Sequence, residues 1–124
     1  MMNRGQGGQA MVAGGALGKA KYALSLGRPD EAERIARKRL EKDANDVGAR
    51  VVLAQALLQM NQPREAANEA RRAVRAQNTN VDAHMLLSAA LLQTGGMASR
   101  FTGGVPQEAI TAAKKAVDLQ PKAA

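Results

Sequence analysis

Pro29-Asp30-Glu31-Ala32 is the stretch that decides the fold, because the pattern Pro-x-Glu-Ala returns twice. The second copy is 63–66 and the third is 106–109. The first two copies lie 34 residues apart, and the third lies 43 residues further on. The nine extra residues fall in one glycine-bounded segment, 95–104. A fixed period of this length predicts a stack of similar helical units.

Aligning the chain on this pattern gives three units of one domain that covers 13–123, and each unit reads as two helices. Residues 1–12 are expected to form a flexible tail and the start of the first helix. Alanine dominates the apolar content and favours helix over strand, so the fold class is all-α. The units span 13–46, 47–80 and 81–123, with the glycine-rich insert at 95–104. Six helices are predicted close to residues 9–26, 29–43, 47–60, 63–77, 81–95 and 106–119.

Composition narrows the class of protein further. The chain has no cysteine, which excludes disulfides and thiolate metal sites on it. No apolar run approaches the roughly 18 residues of a membrane span, so a soluble protein is expected. The first 15 residues make a poor secretory signal, which favours the cytoplasm over the periplasm. The formal net charge of +7 leaves open attraction to nucleic acid, anionic lipid or an acidic protein.

Small residues recur at two places when each unit is counted from its first residue and the nine extra residues of the third unit are left out. Place eight holds Ala20, Ala54 and Ser88, and place twenty holds Ala32, Ala66 and Ala109. With the 34-residue period, these places make the chain resemble the tetratricopeptide repeat (TPR). The resemblance implies a right-handed α-α superhelix. The chain departs from that family at place four, which holds Ala16, Arg50 and His84 instead of a bulky residue, and at place 32, where only Pro121 is a proline.

The resemblance also implies a concave groove that binds a protein or peptide partner. Carried onto this chain, the groove is apolar with a glutamine edge, which suits an apolar or amphipathic peptide. Leu24, Leu58 and Leu92 share one place, where packing between helices and contact with a ligand are both open. The predicted groove residues are Leu17, Lys21, Val51, Val52, Gln55, Gln59, Met85, Leu86, Ala89 and Gln93.

Basic side chains concentrate on the second helix of each unit and predict a basic outer face. Attachment to nucleic acid or to an anionic surface is one interpretation. Against it, the stripe has no interleaved aromatic side chains on which bases could stack, so a solvated face is favoured and nucleic acid is not the expected partner. The residues of this face are Arg37, Lys38, Arg71, Arg72, Arg75, Lys114 and Lys115.

Two further places are candidates for contact with a partner. Arg100 and Phe101 lie in the insert, which is interpreted either as a flexible flap that presents an aromatic side chain or as a tolerated surface loop. Ile110 and Val117 lie on a face that a following unit would normally cover. This end is explained equally well by a longer parent chain and by a partner, of which a second copy is the simplest.

The sequence contains no recognisable catalytic or metal-binding constellation. His84 is the only histidine and has no neighbouring acid and nucleophile, so neither a triad nor a zinc site is expected. No cofactor is expected, and the chain is interpreted as a non-catalytic adaptor within a larger assembly. A self-assembling structural unit and an adaptor to nucleic acid or an anionic surface remain the alternatives.

Overall fold

The computed structural model describes residues 15–102 and 105–120, and within them the chain forms six α-helices. This confirms the all-α prediction and the division into three helix-turn-helix repeats. The helices are α1 (Ala16–Ser25), α2 (Pro29–Lys42), α3 (Val47–Gln59), α4 (Pro63–Ala76), α5 (Val81–Thr102) and α6 (Gln107–Leu119).

The turns within the first two repeats form for the reasons that the sequence indicates. Gly27 and Asn61 have φ angles of 74° and 61°, a left-handed conformation that glycine and asparagine tolerate best. Pro29 and Pro63 then occupy the first position of α2 and α4, where a missing backbone N–H costs no helical hydrogen bond. Each turn therefore reverses the chain within a few residues.

The joints between repeats are fixed by side chains that cap the next helix. The Asp46 carboxylate accepts a hydrogen bond from the Ala49 amide at 3.0 Å, and the Asn80 side chain accepts one from the Ala83 amide at 2.9 Å. Asp46 also accepts two hydrogen bonds from the Arg39 guanidinium, at 2.7 and 2.9 Å. Burial opposes the charge of Asp46, but these hydrogen bonds outweigh it and hold the pKa of Asp46 below its usual value.

Two helices differ from the prediction. The helix predicted over 9–26 is not continuous, because Gly15 takes a φ of 54° and a ψ of −107°, which is not helical. Among the described residues it begins at Ala16, and residues 9–14 lie outside them. The fifth helix runs to Thr102 instead of ending near residue 95. Most of the predicted glycine-rich loop is therefore helical backbone.

Gly95 shows why the longer helix contains a glycine. A Cβ atom at this position would lie 2.8 Å from Cγ and 3.1 Å from Cδ of Pro106, closer than two carbon atoms can approach without displacement. The missing side chain lets the Pro106 ring, directly before α6, pack against the backbone of α5. The glycine thus marks a close tertiary contact and not a loop.

The helices stack in chain order around a thin core. Consecutive helices pack against each other, and the first helices of the repeats, α1, α3 and α5, also contact one another in sequence. Most fully buried side chains are alanines, and the largest are Leu53, Leu57 and Val52. Alanine at these places lets the helix backbones pack close together. The second repeat contacts both of its neighbours and therefore contributes these largest buried side chains.

In the second and third repeats, place four holds a polar side chain that binds the backbone, where the family has a bulky residue. Arg50 donates to the Ala44 carbonyl oxygen at 2.8 Å, and His84 Nε2 lies 2.8 Å from the Asn78 carbonyl oxygen. A carbonyl oxygen can only accept, so Nε2 of His84 carries the proton. Both acceptors stand at place 32 of the preceding repeat. A hydrogen bond between places four and 32 therefore joins each repeat to the next.

Candidate functional site

A groove runs along the first helices of the repeats, and we call it the inner-helix groove. It has a volume of about 730 Å³, which is within the range of about 300–1,000 Å³ that is usual for ligand sites. Residues from α1, α3 and the start of α5 form its walls. They are Lys21, Leu24, Ser25, Gly48, Val51, Gln55, Leu58, Gln59, Asn80, Asp82 and Leu86.

Helical spacing explains why α3 contributes most of this surface. Val51, Gln55, Leu58 and Gln59 follow one another at intervals of four, three and one residues, which places them on one helix face. Gly48 lies one turn before Val51, and a Cβ atom there would meet the Leu17 side chain at 3.0 Å. The glycine at place two thus lets α3 approach α1 and narrows that end of the groove.

The groove combines an apolar floor with polar walls. Leu24, Leu58 and Leu86 supply aliphatic surface from three successive repeats. The Gln59 amide is held by a hydrogen bond from Nε2 to the Leu24 carbonyl oxygen at 3.4 Å. Lys21 and Asp82 bring one positive and one negative charge to the walls. Such a surface can bury apolar side chains and orient a chain through a few polar contacts.

Half of the ten predicted groove residues line this groove: Lys21, Val51, Gln55, Gln59 and Leu86. The prediction was wrong for Val52, which is fully buried in the core and cannot reach a ligand. Leu17 is half-buried and packs on the core. The three remaining residues are exposed on α5 beyond the groove: Met85, Ala89 and Gln93.

Besides Leu24 and Leu58, whose role was left open, four residues of the groove are absent from the predicted set: Ser25, Gly48, Asn80 and Asp82. Gly48 and Asp82 share place two, which lies one helical turn before place five and hence on the same face. Asn80 is the residue that caps α5, so it reaches the groove from the end of a helix. The helical periodicity contained the signal for place two, whereas nothing in the periodicity indicated a capping residue.

Met85, Ala89 and Leu92 extend the apolar surface along α5. They lie at intervals of four and three residues on one helix face, and Met85 and Leu92 are each about half exposed. Their counterparts in the second repeat, Val51 and Leu58, are covered more fully. The apolar stripe of the inner helices therefore becomes more accessible towards the third repeat.

The predicted basic outer face is partly neutralised by acidic neighbours. Arg71 forms two hydrogen bonds of 2.8 Å with the Glu108 carboxylate, which joins α4 to α6. The Arg71 guanidinium holds the pKa of Glu108 below its usual value. Arg37 pairs with Glu33 at 2.8 Å, and Arg72 lies 3.5 Å from Glu69. The exposed basic residues Lys38, Arg75, Lys114 and Lys115 complete the predicted set.

A smaller cavity of about 360 Å³ lies between the start of α1 and the end of α2. Ala16 and Ile35 line it, at the places that hold Arg50 and Glu69 in the second repeat. In the second repeat those two side chains form an ion pair of 2.7 Å. In the first repeat Ala16 and Ile35 cannot form such a pair, and among the described residues the space beside them is open.

The structure describes the side chains of one predicted partner contact and only the backbone of the other. Ile110 is 41% exposed and Val117 is 68% exposed, so both apolar side chains face solvent at the end of the stack. Arg100 and Phe101 belong to the helical backbone of α5, which corrects the prediction that they lie on a loop. Their side chains, and Gly103 and Gly104 after them, lie outside the described residues.

Residues 15–102 and 105–120 contain neither a candidate metal site nor a candidate membrane-spanning helix. No group of three or more histidine or acidic side chains there could hold a metal ion. The helices in the same residues lack the length and hydropathy that crossing a membrane requires. His84 is buried and bound to the backbone, so its role is to join repeats.

Comparison with known proteins agrees with the repeat geometry. No curated protein matches the chain. Among protein families, the tetratricopeptide repeat matches residues 23–90, from the end of α1 to the middle of α5. That match covers more than half of the chain and includes the second repeat completely. The chain therefore belongs to the tetratricopeptide repeat family.

Proposed function

We propose that this protein is a non-catalytic adaptor that binds an apolar or amphipathic peptide segment in its inner-helix groove, as part of a larger assembly. The observation that carries the proposal is the groove's apolar floor, to which three successive repeats each contribute a leucine. Members of the family generally mediate protein–protein interactions and are typically not catalysts. An open apolar floor between polar walls fits that role.

The lining of the groove also supports an expectation of how tightly, and in which orientation, a peptide would bind. Burying a leucine or valine side chain contributes about 1.5–3 kcal/mol, and two or three such anchors are offset by the cost of ordering the peptide. We therefore expect a dissociation constant in the micromolar range. Lys21 on α1 and Asp82 on α5 favour a segment with an acidic residue towards α1 and a basic residue towards α5.

Selection from a random peptide library displayed on phage tests this proposal. The folded full chain should enrich peptides with two or three apolar residues, and Gln55→Arg, which places a charged side chain on the groove wall, should abolish their binding. Gln107→Arg makes the same change on the exposed first turn of α6 and should leave binding intact. The proposal fails if no peptide is enriched, or if the enriched peptides bind both variants equally.

The adaptor to nucleic acid or an anionic surface is a weaker proposal. Three of the arginines on which it depends have carboxylates within 4 Å, which lowers the positive charge that the outer face presents. Binding to phosphate groups would weaken steeply as salt rises, whereas binding in an apolar groove would change little. A salt titration of any ligand that is found separates the two functions.

A further inference from the structure

Identical residues at one place of the repeat reveal which surface a following repeat covers. Ala36 and Ala70 occupy place 24 of the first and second repeats and are fully buried. Ala113 occupies the same place in the third repeat and is exposed. Because the side chains are the same, the difference comes from the neighbouring repeat. No helix among residues 15–102 and 105–120 covers this side of α6.

Apolar residues surround Ala113 at the places that form a junction elsewhere. Between the second and third repeats, Val51 at place five and Val74 at place 28 pack in one cluster with Ala83 and Leu86 of the next repeat. In the third repeat those two places hold Met85 and Val117, which are 49% and 68% exposed. We call the four residues Met85, Ile110, Ala113 and Val117 the C-terminal face.

The helices that pack on such a face within the chain share one pattern. α3 and α5 present alanine, leucine and alanine at places three, seven and ten, and all of these side chains are buried. The residues are Ala49, Leu53 and Ala56 in α3, and Ala83, Leu87 and Ala90 in α5. The face therefore receives a helix with the pattern Ala-x₃-Leu-x₂-Ala.

The first helix of this chain breaks that pattern. Lys19 stands where the other repeats have leucine, and Tyr22, 66% exposed, stands where they have an alanine with no accessible surface. A lysine buried against the C-terminal face would leave a charge without water, and a tyrosine would occupy the space of a methyl group. A second copy stacked head to tail is therefore a poor occupant.

Charge adds a second requirement to the occupant. The Arg71–Glu108 ion pair joins place 25 of one repeat to place 19 of the next. Lys114 occupies place 25 of the third repeat, next to Ala113. Two copies that packed α6 against α6 about Ala113 would bring their Lys114 side chains together, which is unfavourable. A glutamate at the start of the occupant's second helix would pair with Lys114 instead.

We propose that the C-terminal face binds a helix-turn-helix unit that differs from this chain's first repeat, with Ala-x₃-Leu-x₂-Ala in its first helix and a glutamate in the first turn of its second helix. This chain's own first repeat is rejected by Lys19 and Tyr22. The proposal is independent of the inner-helix groove, because none of the four residues of the C-terminal face lines that groove.

The full chain extended by a fourth repeat tests this recognition rule. One extension copies residues 47–80, which contain the required alanines, leucine and Glu65, in repeat register after residue 123. Its matched control carries Leu53→Lys and Ala56→Tyr in the copy only and so imitates the first repeat. The unaltered copy should raise the urea midpoint of the three native repeats by about 1 M, and the control should not.

Val117→Lys in the native third repeat provides the second arm. It should remove the gain from the unaltered copy while leaving the unextended chain, where Val117 is exposed, nearly unchanged. Equal gains from the two copies, or a gain that survives Val117→Lys, would overturn the proposal. So would light-scattering masses of the unextended chain that rise with concentration, because a second copy would then be accepted. Peptide binding in the groove by the Val117→Lys variant reports separately on the proposed function.

Discussion

Arg50 offers the sharpest test of how successive repeats are joined. Its guanidinium donates to Glu69 at 2.7 Å and to the Ala44 carbonyl oxygen at 2.8 Å. The Arg50 and Glu69 side chains are only 16% and 14% exposed, so water replaces either partner poorly. Arg50→Ala removes both hydrogen bonds and leaves Glu69 with the more distant Arg72, at 3.5 Å.

The expected loss follows from these contacts. A hydrogen bond to a charged group contributes about 1.5–3 kcal/mol, and breaking a fully buried ion pair costs about 3–5 kcal/mol. Because Glu69 keeps some water and the Arg72 guanidinium, we expect the free energy of unfolding to fall by about 2–3 kcal/mol. For a domain of this size that corresponds to a melting temperature lower by about 10 °C.

Urea and thermal denaturation followed by circular dichroism measure this loss. Arg72→Ala is the matched control, since Arg72 is 57% exposed and its contact is longer; it should cost at most about 1 kcal/mol. Glu69→Ala should add little in the Arg50→Ala background, which a double-mutant cycle reports. Equal losses for Arg50→Ala and Arg72→Ala would refute the idea that the buried pair and its carbonyl bond hold the joint.

Three further variants test other parts of the fold by the same denaturation measurements. Gly95→Ala should destabilise by about 1–3 kcal/mol because its Cβ atom would lie 2.8 Å from Pro106, although helix propensity alone predicts a gain; a stabilised variant would disprove the close contact. Asp46→Asn should make the free energy of unfolding less dependent on pH. Because the pKa of Asp46 is lowered in the folded state, its ionisation stabilises the wild type above about pH 4, and this contribution is lost as the pH falls through the folded-state pKa. An unchanged pH profile of the variant would contradict the assignment. Ala70→Leu should cost about 1–3 kcal/mol at a fully buried place, whereas Ala113→Leu at the exposed equivalent should change stability by less than about 0.5 kcal/mol; similar losses would mean that the two alanines share one environment.

Local chemistry explains why most helix boundaries could be predicted. A positive φ at Gly27 or Asn61, followed by proline at the first helical position, leaves the chain few alternatives within each turn. The end of α5 is the larger of the two exceptions within the described residues. Its glycines disfavour helix by about 1 kcal/mol each, and propensity alone predicts a loop. The close approach of Gly95 and Pro106 belongs to the tertiary structure, which periodicity does not contain.

The candidate groove was predictable only in part for a related reason. The repeat register gives the direction in which a side chain points from its helix, but not how deeply neighbouring helices cover it. Val52 and Leu86 share place six, yet Val52 is fully buried while Leu86 lines the groove. Val52 lies in the central repeat, which has a neighbour on both sides. How deeply a side chain is buried at a given place therefore depends on the position of its repeat in the stack.

The same dependence explains why one repeat pattern gives different surfaces at the junctions between repeats, at the start of the stack and at the third repeat. Where a repeat has a neighbour, small or aliphatic side chains at the junction places become core, as Ala70 does. At the start of the described stack, Lys19 and Tyr22 replace the apolar pattern, so that end suits solvent. At the third repeat the pattern stays apolar while no helix of the described residues covers it, as the exposed Ala113 and Val117 show. Substitutions at these few places, and not at the buried alanines common to all repeats, should therefore change what the protein binds.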